Sequence, residues 1–189
     1  MKKNFHSLIY SQRSNLMTVQ RYEMGDFDLR QIWRSQILID PLPEAIKFYV
    51  DFNNSLPTDY VANSISWPIC SERMSDFIIE RSPGSIQLID APLFDIETSK
   101  FIGGYKIVNV IELISCLDLD KSTYKSWDKL TGTVKNLSYT VIKTEKVPEN
   151  IHIFRMKEYF SGIYFSDELA HDFNSQGLSG FAFIKHQSS

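Results

Sequence analysis

Gly103-Gly104-Tyr105-Lys106-Ile107-Val108-Asn109-Val110-Ile111-Glu112-Leu113-Ile114-Ser115-Cys116-Leu117-Asp118 is the longest apolar run in the chain. A glycine pair opens it and the acidic turn Asp118-Leu119-Asp120-Lys121-Ser122 closes it. Read as a strand, Tyr105, Ile107, Asn109, Ile111 and Leu113 share one face, with Val108, Val110 and Ile114 on the other. Both faces are mostly apolar, which predicts a central strand covered on two sides. Asn109 is the exception: an amide on an apolar face has to be satisfied, or it bulges the strand.

Outward from this run, the patterns alternate between short strands and two short helices. On the N-terminal side, Phe5–Tyr10 reads as a strand, Met17–Met24 as a possible strand and Gly25–Asp28 as a turn. Residues 11–35 otherwise give no clear pattern. Glu44–Phe52 alternates, with Ile46, Phe48 and Val50 on one side, after the extended Asp40-Pro41-Leu42-Pro43. Ser71 is placed as the N-cap of a helix whose apolar face is Met74, Phe77 and Ile78. Residues 85–90 follow as a strand.

On the C-terminal side, Lys121–Lys129 is expected to form a helical turn, and Leu137–Val141 and Ile151–Met156 to form strands. Ser166 caps a second helix, Gly177 supplies its left-handed C′ residue, and Gly180–Ile184 is the last strand. The expected fold is a single α+β domain, residues 1–189, with a mostly antiparallel sheet and a few short helices.

Composition narrows the function classes. Hydrophobic residues at 43% and charged residues at 23% are globular proportions, not those of a disordered chain. The net charge of −3 comes with no basic stripe, which argues against direct nucleic-acid binding. No stretch approaches the ~20 apolar residues of a membrane span, and the start carries no leader pattern, so a cytoplasmic location is expected. Cys70 and Cys116 lie in apolar surroundings and read as free, buried thiols.

Motifs for chemistry are sparse. The four histidines share no metal-ligand spacing, and there is no Cys-x-x-Cys, so no metal or cofactor is expected. Asp118-x-Asp120 could hold a divalent cation beside a phosphate, with Arg155 as an anion clamp, giving a small metal- or phosphate-dependent enzyme. Alternatively, Asp118 or Asp120 caps the turn before Ser122 and Arg155 is paired structurally.

Six phrases taken together carry a resemblance. They are Ile69–Met74, Gly104–Val110, Ser115–Ser122, Ile151–Met156, Ile163–Glu168 and Gly177–Phe183. In order and spacing they resemble a bacterial family once of unknown function and now classed among immunity proteins of polymorphic toxin systems. The resemblance covers about residues 65–185 as a family-like core, with residues 1–64 a variable part matched loosely through the proline-rich segment.

The resemblance brings no catalytic residues. It implies a non-enzymatic protein that binds and neutralises a cognate toxin, with a nuclease effector as the reasonable guess. The competing readings are the small enzyme above and an adaptor with no toxin. Two acidic, aromatic segments fit a discriminating interface. One holds Glu23, Asp26, Phe27 and Asp28, the other Asp90, Phe94, Asp95 and Glu97.

Overall fold

The computed structural model describes residues 3–11, 13 and 15–189. Its first-half strands are β1 (Phe5–Tyr10), β2 (Val19–Glu23), β3 (Lys47–Val50), β4 (Tyr60–Val61) and β5 (Ile69–Ser71). They continue with β6 (Ile86–Asp90), β7 (Leu93–Asp95), β8 (Phe101–Ile102) and β9 (Tyr105–Val110). The second half adds β10 (Leu113–Ile114), β11 (Ser126–Asp128), β12 (Thr133–Lys135) and β13 (Val141–Ile142). Then come β14 (Ile153–Met156), β15 (Tyr159–Ser166), β16 (Phe181–Lys185) and β17 (Gln187–Ser188). The α-helices are α1 (Arg30–Trp33), α2 (Glu72–Arg81) and α3 (Asp167–Ser175).

The fold is α+β and mostly antiparallel, but the strands divide among several sheets. Two have four strands, β2-β3-β7-β8 and β4-β5-β9-β6, and one has five, β10-β14-β15-β1-β16. Parallel pairs occur at β3–β7, β10–β14 and β13–β17.

The opening run explains this division. β9 lies between β5 and β6, as a central strand should. One of its faces sends Ile107 into a core with Trp67, Phe48 and Ile69. The other sends Val108 and Val110 into a core with Met74, Ile78, Phe165 and Phe173. The run is not one strand, however. It leaves the sheet at Ile111-Glu112 and re-enters as β10 beside β14 of the next sheet. Asn109 does not bulge β9: it stays in register opposite Gln87, fully buried.

Both helix caps form as their sequences dictate. Ser71 Oγ accepts from Met74 N–H at 3.2 Å and Ser166 Oγ from Leu169 N–H at 3.2 Å. Gly177 follows α3 at φ +62°, the left-handed geometry that a Cβ disfavours. Asp59 ties the two helical regions together. It accepts from Ser71 Oγ (2.7 Å) and Arg73 Nη2 (2.8 Å) at the start of α2, and from Ser179 N–H (2.8 Å) before β16.

Two expectations are overturned and one strand was missed. Lys121–Lys129 is not helical: Trp127 on β11 faces Val134 on β12 in a hairpin. Only Val141 of the 137–141 pattern enters a strand, and its partner is β17. The eight-residue β15 was not anticipated, because Gly162 and a register shift opposite Arg155 blur its alternation. Cys70 and Cys116 are free and buried. Among the described residues no helix is long and apolar enough to cross a membrane.

Candidate partner-binding face

The sheet β2-β3-β7-β8 has one face in the core and one outside. Alternation sends Phe48, Val50 and Leu93 inward, so Lys47, Tyr49 and Phe94 share the other face, where Tyr49 is itself buried and Lys47 and Phe94 are half-buried. Outside, aromatic rings run across the strands. Tyr49 lies 6.0 Å from Phe94, and Phe94 lies 5.7 Å from Phe101, centroid to centroid. Cations sit over the row, Arg21 at 4.0 Å from the Tyr49 ring and Lys47 at 5.7 Å from that of Phe94. Such contacts hold charged ends against apolar surface at roughly 0.5–1 kcal/mol each where exposed.

The row runs into a groove of about 650 Å³ between the proline segment 38–44 and strands β6 and β7. Phe94, Phe101, Ile39, Asp40 and Glu44 are among the residues that line it. Ile39 is 95% exposed and Phe101 62%. An apolar centre with acidic groups around it is the anatomy of a protein interface.

The segment is held in place by two amides, Asn109 fully buried and Gln87 half-buried. Asn109 Nδ2 donates to Gln36 O at 2.8 Å and to Gln87 Oε1 at 3.1 Å. Gln87 in turn accepts from Leu38 N–H at 3.0 Å and donates to Leu38 O at 2.7 Å. A side chain thus pairs with Leu38 as a neighbouring strand would, presenting Ile39 beyond it.

The acidic residues expected at an interface separate into two groups. Glu23 is exposed at the end of the edge strand β2 and lies 3.6 Å from Arg21. Asp26 is exposed on the turn after it. Asp90 is exposed at the groove and holds Lys106 Nζ at 2.5 Å. Phe94 is half-buried in the aromatic row. Glu97 is exposed at the far end of the sheet.

The others are engaged by their own neighbours. Asp28 accepts from Arg30 Nε at 2.7 Å and from Arg30 N–H at 3.0 Å, which holds its carboxyl below the usual carboxylate range. Phe27 stands edge-on to Trp67, centroids 6.0 Å apart. Asp95 does not lie on an exposed loop. It is buried in β7 and accepts from Thr98 N–H (2.8 Å), Thr98 Oγ1 (2.6 Å) and Phe52 N–H (3.3 Å).

Asp118, Asp120 and Arg155 are not assembled into one site. Asp118 accepts from Asp120 N–H and Lys121 N–H within its own turn, at 3.2 and 3.3 Å. Arg155 is fully buried and donates Nη1 to Phe160 O at 2.8 Å. Among the described residues, no group of three His, Cys, Asp or Glu is arranged to hold a metal ion.

Sequence reasoning missed Ile39, Phe101 and the Gln87–Leu38 pairing. The lone apolar residues of Gln36-Ile37-Leu38-Ile39 ahead of two prolines were the available signal.

The family model described as "Immunity protein family (Imm11)" matches residues 2–188. The match takes in the first 64 residues, which the sequence phrases had left as a variable part. No curated protein matches the chain.

Proposed function

The chain belongs to the immunity protein family Imm11, and from that premise we propose that it neutralises a cognate bacterial toxin by stoichiometric binding rather than catalysis. The family match over nearly the whole chain carries this reading. A nuclease effector acting in the cytoplasm is the partner we favour, since an acidic inhibitor suits a toxin whose own surface must grip nucleic acid.

The partner face we assign is the aromatic row with its groove. Phe94, Phe101 and Ile39 are the apolar anchors, and Asp26, Asp40 and Glu44 the steering charges. A standard interface buries roughly 1,600 Å² in total, with most of its energy in a few such anchors. Inhibition then needs only that the docked toxin has its active site covered.

The test is co-expression with the toxin domain encoded next to this chain. Growth should be restored, and unrelated toxins should remain lethal. Phe94→Ala with Phe101→Ala should weaken the purified complex at least about tenfold without unfolding the protein. If the cognate toxin stays lethal, neutralisation is excluded. If protection and affinity survive the double change, the face is wrong.

A further inference from the structure

The five-stranded sheet parts near its middle. β1 pairs with β15 only from Phe5–Ser166 to Ser7–Tyr164, and beyond that it pairs with β16 alone, as far as Tyr10. The register of β14 against β15 shifts just past Phe154–Tyr164, at the same level.

A cavity of about 520 Å³ occupies the separation, lined by Leu8, Ile9 and Tyr10 of β1 and by Ser161, Gly162 and Ile163 of β15. Met74, Ile78, Val108, Val110, Ile153 and Phe165, all buried, supply its apolar interior. The cavity joins two cores. Its lining residue Tyr164 belongs to the core with Phe5 and Phe154, and Met74 and Val108 to the core with Phe165 and Phe173. Ile9, Tyr139 and Ile184 also line it and are exposed, so it communicates with solvent. The volume lies within the ~300–1,000 Å³ typical of small-molecule sites.

Several polar lining groups are already engaged. Ser7 Oγ and His186 Nε2 bond each other at 2.9 Å. Asn63 Nδ2 donates to Trp67 O at 2.7 Å, and Asn63 Oδ1 accepts from Trp67 N–H at 3.0 Å. Ser138 Oγ donates to Thr123 O at 3.1 Å. Lys185 is the single Lys, Arg, Asp or Glu among the lining residues, and it is exposed. Charges of both signs lie behind the walls: Arg155 bears on Tyr60, Asp59 on Cys70 and Glu158 on Tyr164. Burial raises the pKa of Tyr60, Cys70 and Tyr164 and lowers that of His186, so all four are held neutral. A charged ligand enclosed here would lose its hydration without a counter-charge to replace it.

We propose that this cavity binds a compact, uncharged, mainly hydrocarbon small molecule, a cyclic alcohol being the simplest probe of the class. The hydrocarbon lies among Met74, Val108 and Ile153, where its apolar surface leaves water. The exposed residues Ile9, Tyr139 and Ile184 mark the entrance. The cavity shares no lining residue with the groove beside Phe94 and Phe101, so this binding stands or falls independently of the partner face.

The experiment titrates ¹⁵N-labelled wild-type protein at neutral pH with adamantanol, adamantane carboxylate and adamantylammonium. These share one hydrocarbon cage and differ in charge. Adamantanol should give saturable 1:1 shifts centred on Leu8, Val108, Ile153 and Ile163, and should raise the melting temperature as it saturates. Both charged analogues should bind at least about tenfold more weakly. Val108→Phe, which fills the cavity, should abolish the shifts. No saturable shift, shifts centred elsewhere, or a charged analogue binding as well as the alcohol would overturn the proposal. Should Val108→Phe fail to fold, the comparison of the three probes on wild type decides alone.

Discussion

Gln87 and Asn109 face each other across β6 and β9, and their amides meet at 3.1 Å. Neither pairs merely with the other. Asn109 reaches the carbonyl of Gln36, and Gln87 takes both backbone groups of Leu38. The pair therefore converts an order inside one sheet into the position of a segment outside it.

Gln87→Ala would leave the Leu38 N–H and C=O without their partner and remove one acceptor from Asn109. A loss of about 1–3 kcal/mol is expected, read as a lower urea midpoint. Affinity for the toxin should fall further than stability alone accounts for, because Ile39 loses its fixed position. Unchanged affinity in the folded variant would separate the proline segment from the partner face.

Two glycines flank the turn between α3 and β16, and they should respond unequally to alanine. Gly177 at φ +62° has open space around an added Cβ, so Gly177→Ala costs only backbone strain, roughly 1 kcal/mol. Gly180 at φ +92° would drive a Cβ into the Tyr60 carbonyl and the Thr58 side chain. Gly180→Ala should cost several times more than Gly177→Ala. Equal denaturation midpoints for the two variants would contradict this packing.

His186 supplies a pH dependence. Burial, helped by the nearby His6, lowers its pKa from 6.5 to about 4. The folded protein therefore holds the ring neutral where the unfolded chain protonates it. This contribution is intact above pH 6.5 and is lost as pH falls toward 4. The ring is only partly buried, so on the order of 1–2 kcal/mol is expected. His186→Gln should shrink the stability loss over that window by this amount. An identical acid limb in urea titrations would mean that the ring protonates freely in the fold.

Charge reversal at Asp26, Asp40 and Glu44 should slow association with a basic toxin and flatten its salt dependence. None of the three forms an ion pair among the described residues, so melting should barely move. Stopped-flow association at two ionic strengths decides. Wild-type rates and salt slope would place the toxin elsewhere.

What could be read in advance was local. Ser71 and Ser166 each stand three residues before the apolar face they cap, and Gly177 follows the last helical turn closely, so a few neighbours determine the conformation. Tyr105–Val110 was legible because both faces are apolar.

The break at Ile111-Glu112 was not legible, since an apolar Ile111 continues the pattern and only the competing sheet around β14 decides where β9 stops. Trp127 looked helical until Val134 was available as a cross-strand partner. For the partner face, composition pointed to acidic, aromatic segments but could not tell Asp95, turned inward on Thr98, from Asp90, turned out to solvent. Phe94 was chosen from its neighbourhood in sequence. Phe101, its neighbour in space, belongs to another strand.

β1 is flanked by β15 and β16. It is made well before the two strands between which it fits. His6 faces Lys185 on one side and Phe165 on the other. During synthesis residues 5–10 emerge with neither neighbour in existence, and the sheet that needs them cannot close until β16 has cleared the ribosome. Pairings of such long sequence separation form slowly and leave strand edges uncovered while they wait. Whatever this chain binds, it can do so in its folded form only after the last strand of this sheet is released, a delay written into strand order rather than into any binding residue.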